Sequence, residues 1–247
     1  MKSKSRVWKE SLSSGQAEPA EFSPRVHIFD VDGTLYRGST VRDFLFLGFR
    51  SRQLPLGLAA AAGRETLRSL VTGRPPGEAS GAFPFLSGFS RDTLLNLSRK
   101  LFSRKLPGRL DSVLAGRIAG ALEKNQTVLL ATSSFRVLVE PLAEYLSVAD
   151  IIATELEYRE GLSTGALKNG AVFGQGKRIQ VEHWLGERGI PLSVCAFYSD
   201  SHRDLPLLET VGYPVAVRPD RRLKKTAAAR GWPVLTGSQA RKTRRNP

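Results

Sequence analysis

The chain has 247 residues, 41% of them hydrophobic, enough to bury the core of one large domain or of one domain carrying an insertion. Its single cysteine, Cys195, excludes a disulfide framework and fits a reducing compartment, so a cytoplasmic location is expected. The formal net charge of +14 favours an anionic partner, but the cations are scattered or terminal and lack interleaved aromatic residues, so no nucleic-acid platform is expected.

Residues 1–24 are polar, with Gly15, Pro19 and Pro24, and read as a flexible lead-in. The start is basic, but the small and polar Ser11–Ala20 follows where a secretory signal would have an apolar core. No run of about 18 apolar residues occurs, so no membrane-spanning helix is expected. Val26–Val31 is a short apolar run meeting a turn at Gly33, which predicts a buried strand with Asp30 and Asp32 at its carboxyl end. Residues two apart on an extended segment point the same way. The two carboxylates would converge, and they repel unless a cation or a shared proton relieves them. Mg²⁺, a hard cation that prefers oxygen ligands, is the natural occupant.

From 37 to 120 the pattern turns helical, as in Val41-Phe44-Leu45-Gly48 and Leu94-Leu95-Leu97-Leu101, with breaks at Gly73–Gly77 and Phe83-Pro84. This span reads as a helical insertion between core segments 25–36 and 121–236, and a basic tail closes the chain at 237–247. Strand and helix then alternate. Strands are expected at Thr127–Ala131, Asp150–Thr154, Val194–Tyr198, Tyr213–Val217 and Pro233–Leu235. Helices are expected at Arg136–Leu146, Lys177–Arg188, Leu205–Thr210 and Arg221–Arg230, and a hairpin turns at Glu160-Gly161. Such alternation implies an α/β, Rossmann-like parallel sheet with helices on both faces, its ligand site at the carboxyl ends of the strands. Three further polar clusters fall there. Thr132-Ser133-Ser134 follows one strand as a seat for an anion, with Ser134 a candidate helix cap. Lys177 opens a helix after Gly174-Gln175-Gly176, and Asp200 and Asp204 follow another strand.

Taken together these segments resemble the haloacid dehalogenase (HAD) superfamily, subfamily IB, the phosphoserine-phosphatase-like branch. Phe29-Asp30-Val31-Asp32-Gly33-Thr34-Leu35 resembles the first family motif and Leu130-Ala131-Thr132-Ser133-Ser134-Phe135 the second. Gly174-Gln175-Gly176-Lys177 resembles the third, and Tyr198-Ser199-Asp200 through Asp204-Leu205-Pro206 the fourth. The resemblance implies that residues 37–120 form a cap over the site. It implies Asp30 as nucleophile and Asp32 as general acid and base. It assigns Gly33, Thr132, Ser133 and Lys177 to the phosphoryl group, and Mg²⁺ to Asp30, Asp200 and the main-chain carbonyl of Asp32. Asp204 would orient Lys177 or the metal's water shell.

The implied reaction is Mg²⁺-dependent hydrolysis of a phosphomonoester through an aspartyl-phosphate. Asp32 favours phosphate chemistry, because a dehalogenating relative would lack this second acid. The glutamate with which phosphoserine phosphatases hold the substrate's amino group is missing from Tyr36–Asp43, so a small metabolite other than phosphoserine is expected. The apolar and basic stretch from Phe44 through Leu54–Ala62 keeps a second reading open: a lipid-phosphate phosphatase, akin to the branch acting on phosphatidylglycerophosphate, in peripheral contact with an anionic membrane. A non-enzymatic, basic nucleic-acid-binding protein is the third reading, disfavoured by the acidic cluster.

Overall fold

The computed structural model describes residues 24–52, 54 and 83–236. The expected lead-in, the basic tail, the Gly73–Gly77 break and most of Leu54–Ala62 lie outside the described residues.

The strands are β1 (Val26–Phe29), β2 (Thr127–Phe135), β3 (Asp150–Thr154), β4 (Leu156–Arg159), β5 (Leu162–Leu167), β6 (Cys195–Ser199), β7 (Tyr213–Val217) and β8 (Val234–Leu235). The helices are α1 (Thr40–Arg50), α2 (Arg91–Arg109), α3 (Ser112–Glu123), α4 (Arg136–Leu146), α5 (Gln175–Gly186), α6 (Leu205–Leu208) and α7 (Arg221–Arg230). Six strands form a parallel sheet in the order β3-β2-β1-β6-β7-β8, and β4 and β5 form a separate antiparallel hairpin turning at Glu160-Gly161, as the sequence predicts. The strand order reverses between β1 and β6. At such a switch point the flanking connections leave toward opposite faces and open a crevice beyond the carboxyl ends of the strands.

Alternate residues of each central strand enter opposite cores. Val26 and Ile28 of β1, Leu129 and Ala131 of β2, and Cys195 and Phe197 of β6 pack with Val181 and Leu185 of α5 and Leu223 and Ala227 of α7. Phe29, Val128, Leu130, Ala196 and Tyr198 face the other way, against Leu114, Ile118 and Ala121 of α3 and Val139, Leu142 and Ala143 of α4. Burying each Val, Leu, Ile or Phe among them contributes about 1.5–3 kcal/mol, which holds the sheet between its two helical layers. A third cluster joins Phe44 and Leu47 of α1 and Leu94, Leu97 and Leu101 of α2 to Phe135, Val137 and Leu138. Among the described helices between β1 and β2, α1 joins the third cluster, α2 spans it and the sheet layer through Phe102 and Leu106, and α3 belongs to the sheet layer.

Two local expectations differ from the structure. β2 continues through Thr132-Ser133-Ser134 to Phe135, and its pairing with β3 shifts register between Thr132 and Phe135. The N-cap of α4 is therefore Phe135, and neither Thr132 nor Ser134 caps it. Lys177 lies in the first turn of α5, which begins at Gln175.

Candidate active site

Asp30 follows β1 directly, and its N–H donates to the Tyr198 carbonyl on β6 at 3.0 Å. This carries Asp30 to the reversal point of the sheet. Lys177, only 2% exposed, reaches the same place from α5. Its ammonium donates to Asp30 Oδ1 and to Asp204 Oδ2, each at 2.8 Å. Ser199 Oγ also donates to Asp204 Oδ2, at 2.7 Å, so Asp204 is fixed against Lys177. Asp30 Oδ2 receives no hydrogen bond among the described residues. On the neighbouring strand Thr132 stands two residues past Leu130, the partner of Phe29, and is buried; the side chain of Ser133 is exposed.

Asp32 is held from the first turn of α1. The Thr40 N–H donates to Asp32 Oδ1 at 2.9 Å, and the Thr40 hydroxyl donates to Oδ2 at 3.1 Å. Free N–H groups at a helix start favour a carboxylate there. Ser134 Oγ lies 2.6 Å from Thr40 Oγ1, which links β2 to this pair. Asp200 is held by Thr34, whose hydroxyl donates to Oδ1 at 3.0 Å and accepts from the Asp200 N–H at 2.9 Å. Between them Gly33 has φ +80°, and a Cβ there would lie 2.0 Å from Asp200 Oδ2. Left-handed backbone and lack of space both require glycine at this position.

Burial raises Asp30 to about 7, with the charges of Asp204 and Asp200 adding to it and Lys177 pulling it down. Burial raises Asp32 to about 6 against the hydrogen bonds from Thr40, and Asp200 is likewise raised by burial. Burial alone would lower Lys177, but Asp204 and Asp30 overcome it and keep the ammonium charged. Among the described residues Lys177 is the cation in contact with these buried acids, a shortfall of positive charge that a divalent cation would relieve. No three His, Cys, Asp or Glu side chains are arranged for a metal ion among the described residues. The candidate set instead comprises the carboxylates of Asp30 and Asp200 and the carbonyl of Asp32, whose own carboxylate is committed to Thr40. An all-oxygen set with one or two carboxylates suits Mg²⁺, which keeps waters or substrate oxygens in its other positions.

Sequence reasoning did not assign Thr34, Thr40, Ser199 or Arg218 to the site, and it read Ser134 as a cap. Only Thr34 and Ser199 carry a local signal, since both lie inside the segments that hold the acids. His202 opens a short 3-10 turn, His202–Asp204, and its ring pairs with Asp220 at 2.9 Å.

The family model of haloacid dehalogenase-like hydrolases matches residues 28–209. A Streptomyces azureus protein named for inhibition of morphological differentiation is 33% identical over 61% of this chain. That match spans only 56% of the Streptomyces protein. A Mycobacterium tuberculosis protein named phosphoserine phosphatase SerB1 is 30% identical, over 88% of this chain and 72% of its own. A Neisseria meningitidis histidinol-phosphatase is 31% identical, over 61% of this chain and 69% of its own. Among solved structures, a Bordetella pertussis protein of unknown function superposes with a TM-score of 0.74 at 29% identity, covering 86% of this chain and 98% of that one. A phosphoserine phosphatase bearing a phospho-aspartyl analogue shares the fold, with a TM-score of 0.59 at 14% identity, covering 87% and 94%. The order of the sheet, the acids gathered at its reversal point and the match over residues 28–209 agree: the chain belongs to the haloacid dehalogenase-like hydrolases.

Proposed function

We propose that this protein is a Mg²⁺-dependent phosphatase that hydrolyses a small phosphomonoester through an aspartyl-phosphate on Asp30. The observation that carries the reading is the buried Lys177 bridge, which fixes Asp30 by Oδ1 and leaves Oδ2 without a donor among the described residues. In the first step Asp30 Oδ2 attacks phosphorus as the ester P–O bond breaks, and Asp32, protonated, gives its proton to the leaving oxygen. In the second step Asp32, now a carboxylate, takes a proton from the attacking water, and the bond from phosphorus to Asp30 breaks to release phosphate. Lys177 and Thr132, with the Ser133 main chain, would hold phosphoryl oxygens, whereas Gly33, expected from the sequence to share this role, spends its N–H on the Tyr36 and Gly38 carbonyls. Bound by Asp30, Asp200 and the Asp32 carbonyl, Mg²⁺ would offset the charge of the incoming phosphate. Burial that raises Asp30 to about 7 fits a site that takes a cation, and a value of about 6 suits Asp32 to give and take a proton.

Relatives named for phosphoserine and for histidinol phosphate support a small phosphorylated substrate. Asp43, the acid nearest the missing glutamate, accepts from the Tyr36 hydroxyl at 2.7 Å and is buried, which supports a substrate other than phosphoserine. One observation favours a lipid-phosphate substrate instead: Arg42, Phe46 and Arg50 are all exposed along one stripe of α1, Phe46 to 59%.

Release of phosphate from p-nitrophenyl phosphate tests the proposal. Activity should require Mg²⁺ and be abolished by EDTA, and Asp30→Asn should lower kcat by at least about 10⁴-fold while circular dichroism stays native. Retained turnover in Asp30→Asn would remove the nucleophile.

A further inference from the structure

β7 ends at Val217, and the next residue, Arg218, has φ +44°, a conformation that L side chains rarely adopt. Its N–H donates to the Leu235 carbonyl at 2.8 Å, which pins this backbone against β8. The guanidinium projects over the turn that follows β1. It donates to the carbonyls of Gly33, at 3.0 Å, and of Thr34. Its other arm donates to Asp111, whose Oδ2 also accepts from Arg37 at 3.0 Å and whose Oδ1 caps α3. The planar fork of an arginine can serve acceptors on two elements at once; a lysine ammonium cannot reproduce that geometry.

The turn held in this way is the one that shapes Asp200. Thr34 exchanges two hydrogen bonds with Asp200, and Gly33 lies against its carboxylate so closely that no Cβ fits. The segment after Arg218 acts on the same residue, since the Asp220 N–H donates to the Asp200 carbonyl at 2.8 Å. Arg218 touches none of the candidate metal ligands' carboxylates, yet every contact of its fork ends on the turn beside them or on the group that anchors that turn.

We propose that Arg218 is a positioning residue: anchored by Asp111, it holds the Gly33–Thr34 turn where Thr34 fixes Asp200 for the cation. This rests on the reading of the site as a Mg²⁺ phosphatase. Residues that orient metal ligands typically contribute about 10–100-fold to metal affinity.

The test is a Mg²⁺ titration of the whole chain, read as the rise in Tm that binding produces. A parallel readout is phosphate release from p-nitrophenyl phosphate. Arg218→Gly removes the fork but suits the left-handed backbone. It should have a lower Tm without metal, because the buried Asp111 loses a partner, and in addition need about tenfold more Mg²⁺ for half its own Tm rise while keeping its KM at saturating Mg²⁺. Asp111→Asn keeps the helix cap but loses the anchoring charge, and should shift the titration the same way by less. Should Arg218→Gly not fold, Arg218→Lys and Asp111→Asn carry the test. Titrations that match wild type in the folded variants would overturn the role of Arg218. A wild-type protein that neither responds to Mg²⁺ nor releases phosphate would instead overturn the reading of the site itself.

Discussion

Thr40 has one hydroxyl proton and two neighbours that want it. It donates to Asp32 Oδ2, so the 2.6 Å contact with Ser134 must be a donation from Ser134 Oγ to Thr40 Oγ1. The result is a directed chain, Ser134 to Thr40 to Asp32, that serves the ionised acid and can reverse when Asp32 is protonated. Thr40→Val keeps the shape and the N–H to Asp32 Oδ1 but breaks this chain and leaves a buried Ser134 hydroxyl without its partner. We expect kcat to fall by about tenfold with KM nearly unchanged, and stability to fall by about 1–3 kcal/mol. Thr40→Ser should recover most of the rate. Equal losses in kcat and in substrate binding would argue against a role in proton transfer. The reach of these bonds explains what the sequence could reveal. Asp30, Asp32, Lys177, Asp200 and Asp204 sit in motifs whose spacing and residue types suggest chemistry. Thr40 and Ser134 are separated by 94 residues and are ordinary hydroxyls until the fold brings them together. Arg218 gives no local sign at all, because the partners of its guanidinium lie more than a hundred residues away.

At the scale of elements, α3 shows how one side chain can join a helix to the site. Asp111 caps it by accepting from the N–H groups of Val113 and Leu114 at 3.0 Å, and its second oxygen meets Arg37 and Arg218. Burial opposes its ionisation, but the Leu114 N–H and the guanidinium groups of Arg218 and Arg37 outweigh burial and hold the carboxyl below the usual carboxylate range. A depressed native value means that the unfolded chain takes up the proton first as the pH falls. Asp111 therefore contributes stability that is complete above the unfolded value, about 3.9, and disappears as the pH falls through the lower native value. Asp111→Asn should lower Tm near neutrality, and its Tm should converge on that of wild type as the pH falls below about 4. A deficit that stayed constant down to pH about 2 would mean that the charge contributes nothing. Elements of this kind were largely readable, since short continuous apolar runs mark the strands and the Asp220–Arg221 boundary marks α7. The end of β2 was not, because Thr-Ser-Ser favours caps and turns locally and only pairing with β3 keeps it extended.

The whole molecule adds what no element contains. Alternation predicts parallel strands covered by helices, but not that β1 lies between β2 and β6, and that order alone brings Asp30, Thr132 and Asp200 to one crevice. The field is also a property of the whole chain. A net charge of +14 attracts any anionic surface, and α7 presents Arg221, Arg222, Lys224 and Lys225 to solvent. Such attraction says nothing by itself about lipid substrates, because it acts through water and is screened. From about 10 mM to about 150 mM salt the Debye length shrinks from about 30 Å to about 8 Å. Insertion of an apolar side chain would survive that change. No helix among the described residues is long and apolar enough to cross a membrane, and on α1 Phe46, between Arg42 and Arg50, is an exposed aromatic placed for interfacial insertion. We expect the protein to sediment with vesicles of anionic phospholipid at low salt, to be released near 150 mM salt (about 8 Å screening), and to ignore vesicles of neutral phosphatidylcholine. Phe46→Ala should behave like the wild type throughout. Binding that persists at the higher salt and is lost in Phe46→Ala would transfer the assignment from a small metabolite to a phosphorylated lipid.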